Sequence, residues 1–387
     1  MPLLAPERRG RKRPRSVPRV LFRNVHRACD WSGRLAVYSS WMLGASVDSS
    51  SRGLQYTYAP TDFETARRKL ANGSIQVMGS DFNFTANQLE RMVRPWLLPT
   101  LAQAIVVLFN LPNITELEIP GEVLADVFSG RIRQWSGLAT WNPALAGLRQ
   151  NISLVVRSDA SSTSEAFTRA LSSFSTEWRT KVGVRERPVW PRADMGCEGD
   201  GGVAACVIAH TYSLGYASQA GLASLKLRCS VAKIGNKAGT FVAPSAGGVV
   251  AAMNAFAADL TDRFFESSGT IFYQNLVDPD KSEPDAYPIS TLTYFAFDAG
   301  ALQCDELHGV LYLIYWAWTN HRTNPSAKQA AEEFGATPIS PSLSDILIRA
   351  LGRIQCNGEN MLNKLLKELS AICPRGATSL SPFCEQQ

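Results

Sequence analysis

Arg157-Ser158-Asp159-Ala160-Ser161-Ser162-Thr163-Ser164-Glu165 gathers a guanidinium, a run of hydroxyls and a helix start within nine residues. The apolar residues 152–156 before it read as a short buried strand, and 166–171 after it as a helix. The first N–H groups of a helix have no partner within the helix and carry partial positive charge. A guanidinium can offer two parallel N–H bonds to two oxygens of one tetrahedral anion. Ser161, Ser162 and Thr163 add hydroxyl donors at the same point. These are parts for holding an oxyanion at a helix N-terminus. The same residues also make an ordinary capped helix, with Ser162 and Glu165 as its capping box and Arg157 paired to Asp159.

The elements around this loop alternate between short strands and helices, which predicts an α/β protein with mainly parallel sheets. Strands are expected over 54–58, 75–81, 104–110, 213–217 and 287–297. Helices are expected over 65–71, 122–128, 202–209, 244–260, 307–319 and 343–354. The strand at 75–81 ends on the carboxylate of Asp81, and Thr61-Asp62-Phe63-Glu64 is a second capping-box pattern. The glycines at 196, 199, 201 and 202 mark a loop after Trp190.

Composition narrows the function classes. The chain has 387 residues, 45% hydrophobic and 19% charged, enough for one large core or two medium ones. Its longest apolar run, 101–111, is too short to span a bilayer. The formal charge of +5 is unevenly placed: residues 1–28 hold nine Lys or Arg and one Glu, a balance of +8, leaving −3 for the rest. A slightly acidic body argues against a broad nucleic-acid surface. Residues 1–18 are expected to be a disordered basic tail; a nuclear signal, a nucleic-acid arm and a transit-like segment share this composition. The tail has no apolar h-region, so it does not read as a secretory signal.

None of the eight cysteines forms a CxxC pair, which disfavours zinc ribbons and thioredoxin-like redox motifs, and no metal or other cofactor is expected. Their even number is compatible with disulfides in an oxidising compartment, with the pairing left open. Sequons at Asn72, Asn83, Asn113 and Asn151 add weak support for a secreted glycoprotein. His26, His210, His308 and His321 show no metal-ligand spacing, and no GxSxG elbow occurs. A phosphate-ester hydrolase therefore lacks its nucleophile, base and metals, and no enzyme activity is expected.

Seven segments in order resemble the phosphate-binding proteins of Pst-type ABC uptake systems. They are Val37-Tyr38-Ser39-Ser40-Trp41, Gly79-Ser80-Asp81, residues 124–135, Trp141-Asn142-Pro143, residues 157–163, Leu214-Gly215-Tyr216 and Asp285-Ala286-Tyr287-Pro288-Ile289. Each is weak alone; their shared order and spacing over about residues 35–355 identify the chain as a divergent member. The resemblance implies a two-lobed periplasmic-binding-protein fold: lobe 1 from 19–106 plus 288–387, lobe 2 from 107–287, and two strands crossing between them near 106–110 and 290–297. It implies non-catalytic capture of inorganic phosphate by hinge closure, for uptake or sensing, by a monomer in an extracellular or periplasm-like setting, with a membrane transporter or receptor as partner. A ligand-sensing ectodomain with altered or lost anion binding is the alternative.

Carried over by motif, Arg157 falls on the bidentate phosphate arginine. Ser161, Ser162 and Thr163 fall on a Ser-Gly-Thr, Ser162 standing where the family has glycine. Asp159 falls on the acid that orients the arginine, and Asp81 on the carboxylate that accepts a hydrogen bond from the protonated anion. Beside a dianion, such a carboxylate is repulsive unless the anion carries a proton, as phosphate does near neutral pH and sulfate does not. The first lobe departs most. Ser32, in Arg27-Ala28-Cys29-Asp30-Trp31-Ser32-Gly33, and Thr61, in Ala59-Pro60-Thr61-Asp62, are the hydroxyls left where the family has glycine-rich loops. A glycan on Asn83, two residues past Asp81, would hinder closure, so that sequon is expected to be unused or to point away.

Overall fold

The computed structural model describes residues 19–25, 55–61, 63–84, 86–224, 226, 229–260, 276–279, 283–323, 329 and 331–370. Its backbone is a twisted path of strands in the order β2-β1-β3-β8-β4-β7-β5-β6. These are β1 (Arg19–Val25), β2 (Gln55–Thr61), β3 (Val77–Ser80), β4 (Pro95–Asn110), β5 (Ser153–Arg157), β6 (Met195–Cys197), β7 (Ser213–Ser218) and β8 (Ile289–Asp298).

β4 organises the molecule. From Pro95 to Ala104 it pairs with β8; from Ile105 to Asn110 it pairs with β7. It is buried along nearly its whole length, with several helices packed against it. At the change of partner, the buried phenol of Tyr287 donates to the Ile105 carbonyl at 2.9 Å. The resemblance implies a crossing near 106–110; the partner of β4 changes between Ala104 and Ile105. β4 also begins earlier than expected, running through Pro95 and Pro99. Proline has no N–H for a ladder, and the register of β8 slips at that point: Thr293 faces Leu101 and Tyr294 faces Pro99. The bulged Thr100 hydroxyl donates to the Thr293 carbonyl at 3.1 Å, and Trp318 Nε1 donates to the Pro99 carbonyl at 2.7 Å.

The expectation of mainly parallel sheets needs correction. The outer strands are parallel: β2, β1 and β3 on one side, β7, β5 and β6 on the other. The central β8 and β4 run antiparallel to their neighbours. Chain direction must reverse where a long strand passes from one half to the other. Each half thus keeps a parallel set whose C-terminal ends open toward the junction, where ligands bind in open α/β sheets.

Among the described residues, the helices of eight or more residues are α1 (Phe63–Ala71), α2 (Gly121–Phe128), α3 (Ser162–Phe174), α4 (Gly199–Ala209), α5 (Ala246–Asp259), α6 (Cys304–Thr323), α7 (Pro341–Leu351) and α8 (Met361–Ser370). α3 shows why such segments fold: Thr163, Ala166, Phe167, Ala170 and Leu171 recur at helical spacing and are buried, while Glu165 and Arg169 pair on the outer side at 2.5 Å. α4 begins at Gly199, three residues before the expected start. No helix among the described residues is long and apolar enough to cross a membrane.

Two disulfides are present among the described residues. Cys197–Cys206 ties the end of β6 to α4, and Cys304–Cys356 ties the start of α6 to the segment after α7. Cys229 is a free thiol, and burial raises its pKa. The basic tail, Cys29, Cys373 and Cys384 lie outside the described residues. Asn72, Asn83, Asn113 and Asn151 are all exposed.

Candidate functional site

Asp81 follows the last residue of β3, Arg157 is the last residue of β5, and α4 starts just past the end of β6. These strand ends bring charges from both halves to one place. Ser162 Oγ, at the start of α3, donates to Asp81 Oδ2 at 2.8 Å, joining a residue of one half to a residue of the other.

Arg157 is the cation of the site, and its side chain is only 5% exposed. Its Nε donates to Asp159 Oδ1 at 2.8 Å and its Nη2 to Asp159 Oδ2 at 2.5 Å, a two-pronged pair. Its Nη1 donates to Asp200 Oδ1 at 2.6 Å. Asp200 is completely buried and accepts two further bonds on Oδ2, from Thr163 Oγ1 at 3.2 Å and from Ser218 Oγ. Space for this carboxylate depends on Gly221, where a Cβ would come within 2.7 Å of the Asp200 side chain. Gly199, at φ +72°, sets the turn that aims the start of α4. Its N–H donates to Asp159 Oδ1 at 3.1 Å, so Asp159 caps α4 from a neighbouring loop. For Asp159, burial pushes the pKa up, but the Arg157 hydrogen bond and charge together with the Gly199 N–H outweigh it. The net result is a carboxyl held below its ordinary value.

The α3 cap differs from the expected capping box. Ser161, with extended backbone at φ −154° and ψ 149°, is the N-cap, and its Oγ accepts from the Ser164 N–H at 3.0 Å. Ser162 is therefore the first helical residue, and Glu165 sits one position too far along to close a box. Ser161 Oγ also donates to Ser164 Oγ at 3.0 Å, which in turn lies 2.6 Å from the Tyr216 hydroxyl. Tyr216 is fully buried and stacks on Phe167 at 4.2 Å, with Phe128 and Trp190 around it. Burial raises its phenol pKa, so it serves as a neutral hydrogen-bonding group beneath the loop.

Of the residues singled out from sequence, Arg157, Asp159, Ser161, Ser162, Thr163 and Asp81 come together. Thr61 is the last residue of β2, in register with Val25 of β1. With α1 starting at Phe63, Thr61 stands one place before the N-cap position expected for it. Ser32 lies outside the described residues. Asp200 and Ser218 were missed. An acid within a glycine run just ahead of the apolar Val203-Ala204-Ala205 was the available signal for Asp200, since carboxylates favour helix N-termini. Among the described residues, no group of three or more His, Cys, Asp or Glu is placed to hold a metal ion.

Two parallel strand sets joined through a shared strand, with polar groups of both halves meeting at strand ends, define the two-lobed α/β binding-protein class. The family model described as the PBP superfamily domain matches residues 36–311, and the chain belongs to that family. It is 35% identical over 227 residues to the phosphate-binding protein PstS of Pasteurella multocida, covering 56% of this chain and 62% of that protein, less than two thirds of its length. It is 26% identical over 314 residues to the PstS protein of Haemophilus influenzae, covering 78% and 85%. A solved structure of a high-affinity periplasmic phosphate-binding protein (PfluDING) bound with phosphate superposes with a TM-score of 0.61, covering 88% of this chain and 97% of that one. At 17% identity that likeness is one of fold. The resemblance read from the seven segments is borne out.

Proposed function

We propose that this chain captures inorganic phosphate, without catalysis, between two lobes that close on it. The observation that carries the reading is the Ser162–Asp81 contact, which sets the α3 N-terminus with its buried arginine against a carboxylate from the opposite half. A guanidinium has five N–H donors, so Arg157 can serve its carboxylates and an anion together. Arg157 addresses two anion oxygens and the first N–H groups of α3 the others, with Ser161 and Thr163 turning their protons from Ser164 and Asp200 to the anion as it binds. Asp81 accepts from the protonated oxygen. Asp159 and Asp200 fix the guanidinium plane. Thr61 and Ser32 belong to the facing wall, past the C-terminal ends of β2 and β1. The lobes are 19–106 plus 288–387 and 107–287, a division supported by the change of partner along β4.

The relatives' name, phosphate-binding protein, supports phosphate as ligand. A membrane transporter or receptor as partner of a monomeric carrier belongs to the same proposal. The two disulfides support an oxidising, extracytoplasmic setting. Calorimetric titration of the full chain with phosphate and arsenate tests the reading. Phosphate is expected to bind, and Arg157→Lys, which keeps the charge but loses the planar fork, is expected to weaken it by about tenfold or more. Absence of heat with either anion refutes the proposal.

A further inference from the structure

α4 opens on residues that do little to secure a helix. It begins Gly199-Asp200-Gly201-Gly202, and glycine is among the poorest helix formers. Buried apolar side chains begin at Val203. From there the packing is tight: a Cβ on Gly215 would meet Val203 and Val207 at 3.1 and 3.0 Å. The weak first turn is nevertheless the part of α4 that meets the anion site. Asp200 holds Arg157 Nη1 at 2.6 Å, and the Gly199 N–H holds Asp159 at 3.1 Å. The Cys197–Cys206 bridge spans this turn. Cys197 is fixed beside the arginine. It stands in register with Arg157 across β5 and β6, and its carbonyl accepts from the Ser158 N–H at 3.1 Å. Cys206 lies in the packed part of the helix, beyond Val203. The bond thus closes a ring around the turn that holds the guanidinium and its partner Asp159.

We propose that the Cys197–Cys206 bridge is a positioning element of the anion site, so that phosphate affinity depends on its oxidation state. The proposal rests on the oxyanion reading above. With the bridge closed, the first turn of α4 is held between the strand end and the packed helix, and Asp200 keeps the guanidinium plane. With the bridge open, a glycine-rich helix end frays. Asp200 then loses its place, and full affinity belongs to the fraction of molecules in which the turn is formed. Both cysteines are partly exposed, so a small dithiol reaches the bond. The exchange is a two-electron step: the S–S bond breaks, two protein thiols form, and the dithiol gives up two protons and two electrons as it closes its own disulfide. Cys304–Cys356 is the natural control, since it ties α6 to the segment after α7 and neither contributes to the cluster.

The test is calorimetric titration of the full chain with phosphate. The forms compared are the oxidised protein, the protein reduced with dithiothreitol, Cys197→Ser with Cys206→Ser, and Cys304→Ser with Cys356→Ser. Circular dichroism checks that each is folded at the titration temperature, and alkylation with mass measurement counts its free thiols. Reduction of the folded protein gives the comparison without any substitution. Affinity should fall by about tenfold when the 197–206 bridge is opened by either route, and stay level when the other bridge is removed. Gly202→Ala separates positioning from general loosening. A Cβ there would lie 3.7 Å from its nearest neighbour, so the methyl fits. By favouring the helix, it should recover about threefold or more of the affinity lost in the bridge-free protein and leave the oxidised protein unchanged. Affinity unmoved by opening the bridge, an equal fall on removing Cys304–Cys356, or no recovery with Gly202→Ala each overturns the proposal while phosphate capture stands. If the oxidised protein binds no phosphate, both fall.

Discussion

Replacing Arg157 by alanine should unfold the protein more readily, before any question of ligand arises. The substitution leaves Asp159 and Asp200 with no guanidinium between them. Asp159 is about one-third exposed and can recover water; Asp200 is completely buried and cannot. Thr163 and Ser218, which also donate to it, are neutral hydroxyls. Removing one member of a buried ion pair costs about 3–5 kcal/mol, because the other charge is stranded. With an unfolding entropy of about 2.1 cal/mol/K per residue over 387 residues, Tm should fall by about 4–6 °C. The assay is thermal unfolding by circular dichroism at pH 7 in a buffer free of phosphate and sulfate, so that ligand linkage does not enter. Adding Asp200→Asn should recover at least half of the loss, since it removes the stranded charge and keeps the shape. An Arg157→Ala protein that melts with the unchanged one, or an Asp200→Asn that recovers nothing, refutes the account of this cluster. The same reasoning makes Arg157→Lys the cleaner probe of binding.

Asp159 has a lowered pKa, so it stabilises the fold above its ordinary value of 3.8, and that contribution is lost as pH falls through the lower folded value. Asp159→Asn should therefore be less stable at pH 7 by thermal melting, with the difference closing only below pH 3.8. Glu186 behaves oppositely. Burial and the Glu165 charge raise its pKa from 4.5, against the opposing pull of Arg67. Its ionised form opposes folding, so Glu186→Gln should melt higher at pH 7, an advantage that vanishes as pH falls below 4.5. Tyr216→Phe removes the 2.6 Å contact with Ser164 and should cost about 1–2 kcal/mol in a denaturant titration. Converting Cys197 and Cys206 together to serine opens a loop closed over nine positions and should cost about 2–3 kcal/mol by the same titration.

The parts of the site that act locally were legible in the sequence. A strand, an arginine, three hydroxyls and a helix within some fifteen residues dictate their own geometry, and Asp81 was marked by the strand that ends on it. The position of the cap was not legible, because Ser161, Ser162 and Thr163 are all competent caps, and only the backbone chooses Ser161. Asp200 escaped because its meaning lies in a partner 43 positions away. Read alone it is an acid in a glycine loop. The start of β4 escaped for another reason: Pro95 and Pro99 lack the ladder N–H, yet a bulge at Thr100 lets the strand run through them. Strand direction in the centre follows from how the two halves are joined, which no local pattern records.

The electrostatics of the cluster carry the last step. Two carboxylates, Asp159 and Asp200, pair with the one guanidinium, and a third, Asp81, meets the same loop through Ser162, so one cationic side chain stands among three acidic ones. A dianion entering such a place gains nothing from net charge. It must be held by donors aimed at it from short range: the guanidinium, hydroxyls and the N–H groups at the start of α3, whose partial charges act within a turn. Short-range donors in a closed cleft are little screened by salt, whereas the repulsion met on approach is screened. Phosphate affinity should therefore stay level or rise as sodium chloride is increased from about 0.05 to 0.5 M, the range over which the Debye length shrinks from about 14 to about 4 Å. A site that worked by net positive charge would lose affinity steadily over that range. A steep fall with salt in the calorimetric titration would mean that the carboxylates stand elsewhere when the anion is bound, and that the cluster rearranges on closure.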